Sequence, residues 1–276
     1  INNAEFLNYN GRIGIEIRGS SSQSLPKKPY GLTTRKEDNI TKNNVSILGM
    51  PEEHDWILNS IAYDPSLIRN FLSYNLSGSL GNYAARGKFC EVIINDDYKG
   101  LYIFMEKLKT DQNRINIVKM TQADNSAPEI TGGYVTKADK DTGGDPIAWT
   151  MQSYYGWANY IHHDPEPDEI TLQQNNYIQS QFTNLQKTAT AQNTSISNGF
   201  PSIIDIPSFI DFILINELAS NADGYQYSTY FHKDRNGKLR AGPVWDFDLT
   251  YGNDLFHWGF DMSHSDVWQF DNGDNT

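Results

Sequence analysis

Between Pro207 and Asp248 the chain writes a helix, a loop, a strand, a tight turn and a second strand in immediate succession, and this run limits the fold more than any other. Phe209, Ile210, Phe212, Ile213, Leu214, Ile215 and Leu218 make a segment apolar on nearly every side, which predicts a central helix. That helix runs out at Ser220-Asn221-Ala222-Asp223-Gly224. A strand over 225–233 follows. Asn236-Gly237, a strong short-range hairpin signal, then turns the chain into a return strand over 239–245 that ends at Asp246-Phe247-Asp248. The run therefore carries two aspartates to loops that a single hairpin joins.

Upstream, Arg12-Ile13-Gly14-Ile15-Glu16-Ile17-Arg18 alternates strictly, the period of a half-buried strand. A second extended run over 28–33 predicts its partner, with Gly19-Ser20-Ser21-Ser22 as a small polar loop between them. Asp64-Pro65 reads as a helix start. Leu67, Ile68, Phe71, Leu72, Leu76 and Leu80 recur at helical spacing up to a stop at Gly81 or Asn82. Phe89–Ile94 and Gly100–Glu106 read as two strands around a turn over 95–99. Residues 137–168, rich in Gly, Asp, Pro, Trp and Tyr without clear period, read as an irregular surface or cleft-lining segment, and a polar helix is predicted over about 169–189. The fold class expected is α+β, with an antiparallel sheet in the N-terminal part and a more helical C-terminal part.

Composition excludes several functions. Lys and Arg number 22 against 34 Asp and Glu, so the net charge of −12 repels a phosphate backbone, and the short basic pairs Lys27-Lys28 and Arg35-Lys36 form no stripe for nucleic acid. No run is long and apolar enough to span a membrane. The single cysteine, Cys90, has no internal partner and reads as a small apolar packing residue. The chain opens at Ile1 without a methionine and closes on a loop-like 271–276, and so reads as cut at both ends from a longer protein.

Asp223 and Asp246, 23 positions apart, are the residues to watch. Helix, aspartate loop, hairpin, aspartate is the order in which protein kinases set a carboxylate that orients the acceptor hydroxyl and one that holds the magnesium bridging the phosphates. Arg18, Ser21, Lys27 and Lys28 add cations and small polar groups suited to triphosphate oxygens, although neither a Walker sequence nor a GxGxxG loop is present. His162-His163-Asp164 carries metal-like letters without a spaced third ligand and reads as a surface loop. His54-Asp55-Trp56, with no nucleophile elbow nearby, reads as a hydrogen-bonded loop cluster. Asp246-Phe247-Asp248 is also a D-x-D of the kind that holds a nucleotide-sugar through a divalent ion.

Several motifs in order then resemble one family. Gly19-Ser20-Ser21-Ser22 with Pro26-Lys27-Lys28-Pro29-Tyr30, Leu48-Gly49-Met50-Pro51, His54-Asp55-Trp56-Ile57-Leu58-Asn59 and Ser66-Leu67-Ile68-Arg69-Asn70 are followed by Gly100-Leu101-Tyr102 with Glu106. Asn216-Glu217-Leu218 with Asn221 and Asp223, and Gly242-Pro243-Val244-Trp245-Asp246-Phe247-Asp248, complete the set. From Gly11 to Asn253 the chain resembles the CotH kinase family, atypical kinases named for a bacterial spore-coat protein.

The resemblance implies a single two-lobed kinase-like domain over 1–276, with lobes near 1–120 and 121–276. It implies transfer of the ATP γ-phosphate to Ser or Thr of a protein substrate, with ATP and Mg as cofactors, in the spore coat or cell envelope. Asp223 becomes the catalytic-loop aspartate and Asp246 the metal ligand, with Asp248 beside it. Lys27 or Lys28 contacts phosphate, and Glu106 pairs with that lysine. Ser228 stands where the family's metal-binding asparagine is expected, a weaker neutral ligand. That departure keeps open a non-catalytic coat-assembly or adhesion protein on the same fold. The net charge predicts a basic, Ser-rich acceptor.

Overall fold

The computed structural model describes residues 7–141, 144–153, 156–253 and 268–271. The terminal loop expected over 271–276 lies, past Asp271, outside them. The chain is a mixed α/β protein with two antiparallel five-stranded sheets and few helices, and it divides into two compact units: Ile1–Leu67 with Ala85–Leu108, and Ile68–Ala84 with Lys109–Thr276. Residues 68–84 and 109–120 group with the second unit, whereas the expected lobes are 1–120 and 121–276.

Unit 1 is a sheet of β1 (Arg12–Ile17), β2 (Tyr30–Arg35), β3 (Asp55–Asn59), β4 (Gly87–Ile94) and β5 (Asp97–Glu106) in the order β1-β2-β3-β5-β4. The predicted first pairing holds, with Ile15 opposite Leu32 and Ile17 opposite Tyr30. Paired residues share a face, and that face buries Trp56, Leu58, Val92, Tyr102 and Phe104 with Met50. Trp56 stacks on Phe104 at 5.1 Å between ring centroids. Cys90 packs on this core, and burial raises its thiol pKa. The β4–β5 turn is tighter than expected: Asn95 and Asp96 alone make it, both at positive φ, and Tyr98 and Lys99 already belong to β5.

Unit 2 carries α1 (Arg69–Ser79), β6 (Tyr134–Ala138), β7 (Trp149–Ser153), β8 (Gly156–Asp164), α2 (Leu172–Thr190), α3 (Phe200–Ile203), α4 (Ile206–Ala219), β9 (Thr229–Lys233) and β10 (Arg240–Ala241). Its sheet runs β10-β9-β6-β8-β7. Tyr134, Trp149, Ile178, Phe182, Ile204 and Leu239 form its core. A capping box starts α2, with Thr171 Oγ1 accepting from Gln174 N and Gln174 Oε1 from Thr171 N.

Four expectations are corrected here. Residues 137–168 are not irregular, since they hold the end of β6 and all of β7 and β8. His162-His163-Asp164 is not a surface loop but the end of β8, where His162 is buried with Nε2 against Asn175 Oδ1 at 2.9 Å, and burial lowers its pKa. Asp64-Pro65 does not open α1. The Asp64 carboxylate takes Ser66 N and Oγ in a local turn, Leu67 follows at φ 66°, and the helix begins at Arg69. Nor is α4 central: Phe212, Ile215 and Ala219 are buried, while Ile210, Ile213, Leu214 and Leu218 are 41–65% exposed.

Candidate functional site

Asp223 sits on the loop that α4 feeds. Asn216, buried near the helix end, donates through Nδ2 to Phe212 O at 2.8 Å, and its Oδ1 accepts from Asn221 Nδ2 at 2.8 Å. Asn221 Oδ1 in turn accepts from Asp223 N at 3.2 Å. This amide relay fixes the backbone that presents the half-buried Asp223 side chain. Gly224 is required beside it, because a Cβ would stand 2.9 Å from Asn221 O and 3.0 Å from Asn216 Oδ1. Glu217 closes the loop from the other side, accepting from Tyr225 Oη at 2.5 Å and Phe270 N at 3.2 Å.

Asp246 is held differently. Its backbone lies in the left-handed region at φ 63°, which Asp tolerates better than most residues and which persists only where its surroundings enforce it. Helix α1 does the enforcing. Tyr74 Oη accepts from Asp246 N at 3.1 Å, Asn70 Oδ1 accepts from Phe247 N at 2.7 Å, and Arg69 Nε donates to Thr250 O at 2.9 Å. Phe247 is buried between Asp246 and Asp248, which remain part-exposed. Tyr74 stacks on Trp245 at 5.9 Å. Burial raises the Tyr74 phenol well above its ordinary pKa, and the charges of Asp246 and Asp248 raise it further, so the hydroxyl stays neutral.

The structure brings Ser228 to Asp246, with Ser228 Oγ 3.4 Å from Asp246 Oδ2. It also brings a residue that the sequence reading missed. Ser228 N points at Asp139 Oδ1 over 3.4 Å, and Asp139 Oδ2 pairs with Lys137 Nζ at 3.0 Å. Burial pulls the Lys137 pKa down, but Tyr230 and Asp139 outweigh it and hold the ammonium above its usual value. An aspartate just past a buried strand was the available signal, hidden because 137–168 read as irregular. Asp246, Asp248, Asp139 and the Ser228 hydroxyl are hard oxygen donors of the kind that suits Mg²⁺, although among the described residues the three carboxylates do not converge within 4.8 Å as Glu53, His54 and Asp55 do.

In unit 1, Arg18 N donates to Pro29 O at 3.1 Å, closing the β1–β2 loop, and the exposed Ser21 begins a short 3₁₀ turn over Ser21–Ser24. Gly19 stands at φ 94°, a conformation that L side chains rarely adopt, so any other residue there is strained. Lys28 Nζ donates to Gln23 O at 2.7 Å. Lys27 Nζ donates to Leu101 O and lies 4.7 Å from the Tyr102 ring centroid, where burial lowers its pKa. A lysine partner is expected for Glu106, and Arg86 is a cation on this fully buried carboxylate, through Nε at 3.0 Å and Nη2 at 2.9 Å. Glu53, His54 and Asp55 also gather, their ligand-type atoms within 4.8 Å, and His54 bonds Asn44 Oδ1 at 2.6 Å, as a hydrogen-bonded cluster does.

The model of one protein family, described as CotH kinase protein, matches residues 15–276. The chain belongs to the CotH kinase family. A curated relative is the inner spore coat protein H of Bacillus subtilis (strain 168), 21% identical over 243 residues that make up 88% of this chain and 60% of that protein. The chain thus spans less than two thirds of that relative's length. Within the family frame, Asn70 and Arg69 take a concrete role: they tie the start of α1 to the segment holding Asp246.

Proposed function

We propose that this chain is a kinase-like component of the spore coat or cell envelope, which transfers the γ-phosphoryl group of ATP to Ser or Thr hydroxyls of a protein. Family membership supports the kinase-like part, and the coat protein it resembles supports the location. The observation that carries the reading is the enforced loop at Asp246, with the Ser228 hydroxyl 3.4 Å from its carboxylate.

On this reading Asp246, Asp248 and Asp139, with the Ser228 hydroxyl, would hold Mg²⁺, which would supply neutralisation of phosphate charge. Asp223, with its backbone fixed by Asn221, accepts a hydrogen bond from the acceptor hydroxyl and aims its oxygen. As the acceptor oxygen bonds to phosphorus, the bond from phosphorus to the bridging oxygen breaks. ADP leaves with that electron pair, and the hydroxyl proton passes to the Asp223 carboxylate and on to water. Lys137 holds Asp139 in place. The cation for phosphate in unit 1 is Lys27 or Lys28, with Arg18 and Ser21 on the same loop, and single alanine variants separate the two lysines.

The test is a thermal-shift titration with ATP at fixed magnesium on wild type and Asp246→Ala, followed by label transfer from γ-labelled ATP to basic, serine-rich acceptors. A magnesium-dependent shift lost in Asp246→Ala, with label transfer lost in Asp223→Asn, is expected. A shift with a UDP-sugar and not ATP supports the D-x-D alternative instead. Ser228 favours a second reading, a coat-assembly protein that kept the fold without turnover. Partner binding unchanged in Asp246→Ala, with no ATP shift in either protein, would support that one.

A further inference from the structure

A cavity of about 450 Å³ opens wholly within unit 2. Its walls come from the C-terminal end of α1, residues 114–117, the first turns of α4, and the β9–β10 connection. Ser228 and His232 flank opposite ends of β9, roughly 13 Å apart at strand rise, and it is His232 that lines this space.

The chemistry of the walls is specific. Three cations line it, Arg114, Lys238 and Arg240, but the two guanidiniums are already matched: Arg240 Nη1 lies 2.9 Å from Asp205 Oδ1, and Arg114 Nη1 lies 2.6 Å from Asp111 Oδ2. Asp234 supplies a further carboxylate to the wall, and Lys238 Nζ is turned to Pro201 O at 2.6 Å. A free anion would meet Asp205 and Asp234, and a free cation would meet the arginines. The guanidinium charges of the walls are therefore already matched, while Arg240 keeps N–H donors to spare and each carboxylate keeps lone pairs.

His232 sharpens this. Its Nδ1 lies 2.9 Å from Gly242 O, a carbonyl that can only accept, so Nδ1 carries the proton and Nε2 is the ring's acceptor. Burial lowers its pKa to about 4, which keeps the ring neutral at ordinary pH. Asn82, linked to Asp211 at 2.8 Å and to Arg240 at 3.4 Å, adds a fixed amide. Phe212, Ile215 and Val244 give the same space an apolar side.

We infer that this cavity binds a neutral, polyhydroxylated small molecule of sugar size, whose hydroxyls span the Arg240–Asp205 pair, Asn82 and His232 while its carbon face lies on Phe212 and Val244. Neutral hydroxyls donate and accept at once, which is what a wall of paired charges, an amide and a neutral imidazole can satisfy without a counter-ion. The binder would also brace α1, whose other end holds Asp246 and Phe247, and Val244 is two residues from Asp246. The inference stands apart from the phosphoryl-transfer reading, because its readout is binding alone.

The test is saturation-transfer NMR on the full chain with glucose, mannose, N-acetylglucosamine and sorbitol, against inorganic phosphate and acetate at equal ionic strength. Binding of at least one neutral probe is expected, weakened about tenfold in Asn82→Ala and in Arg240→Gln. Because a variant can lose binding by losing its fold, each is checked by melting, and the wild-type His232 ring ¹⁵N signal is followed as an independent reporter of Nε2 accepting a hydrogen bond. Silence from all four neutral probes would overturn the inference. So would phosphate or acetate binding more tightly than any sugar, or sugar binding that leaves the His232 signal unmoved and survives both substitutions.

Discussion

Asn70→Ala tests whether α1 is what holds the Asp246 loop. In the wild type, Phe247 N donates to Asn70 Oδ1 at 2.7 Å, and the two residues are 1% and 2% exposed, so no water can replace the lost acceptor. Leaving a buried donor unsatisfied costs about 1–3 kcal/mol, and the emptied amide volume adds to it, so about 2–3 kcal/mol is expected. For a unit of this size each kcal/mol moves the melting temperature by about 2–4 °C, giving a drop of about 4–12 °C. The control is Asn75→Ala on the same helix, whose exposed side chain donates to Phe71 O in its own turn, and it should stay within about 0.5 kcal/mol of wild type. Urea unfolding followed by tryptophan fluorescence measures both. The left-handed Asp246 depends on this hydrogen bond and the one from Tyr74, so any magnesium-dependent ATP stabilisation should fall in Asn70→Ala as well. An Asn70→Ala loss no larger than that of Asn75→Ala would refute the reasoning.

Three further outcomes are expected. Arg86→Met removes a two-point guanidinium contact from the fully buried Glu106 carboxylate, and urea unfolding should show a loss of about 3 kcal/mol, whereas Glu106→Gln, which leaves a part-exposed arginine, should lose less. His232 has a folded pKa of about 4, below its ordinary 6.5; the unfolded chain therefore takes up the proton first, and stability falls as pH drops from 6.5 toward 4. The loss is about 3 kcal/mol at most, and a pH series of unfolding curves on His232→Gln should lack that slope. Ser228→Asn places an amide carbonyl beside Asp246 at a position whose φ of 49° asparagine tolerates, and on the proposed reading it should lower the magnesium concentration needed for the ATP thermal shift. An unchanged or higher magnesium requirement would count against Ser228 as a metal neighbour.

Much of this architecture could be read from the chain because local signals and tertiary packing agree. β1 and the extended run after Pro29 pair as expected, although the β1 isoleucines that alternate stay 47–50% exposed rather than half-buried, and α2 begins where Thr171 and Gln174 form a capping box. The loops of Asp223 and Asp246 were legible for another reason: Gly224 and the amide relay leave little freedom in what can stand there. Where reading failed, tertiary context overrode the pattern. Tyr134-Val135-Thr136 lies buried on both faces of a middle strand and so shows no alternation, and the Gly- and Asp-rich connection after it lent its irregular character to β7 and β8. Asp139 was lost with them.

The two errors on helices share a cause. Composition gives an apolar residue no direction, and direction decides what it does. Leu67 and Ile68 fit the helical spacing of α1, yet Leu67 at positive φ cannot continue a helix, and the Asp64 carboxylate that looked like a cap is spent on Ser66. In α4, Phe212, Ile215 and Ala219 are buried while equally apolar Ile210, Leu214 and Leu218 are exposed, although the sequence gives both faces the same hydropathy. The polar residues break the tie: Ser208 and Asn216 lie on the buried face, because their side chains serve Ala241 N and the Asn221 relay. In this chain the buried polar residue marks the inner face of a helix better than the apolar ones do, since an unsatisfied amide inside costs more than a leucine outside. The same logic makes Asn70, an asparagine in the first turn of an otherwise unremarkable helix, the residue on which the geometry of Asp246 turns.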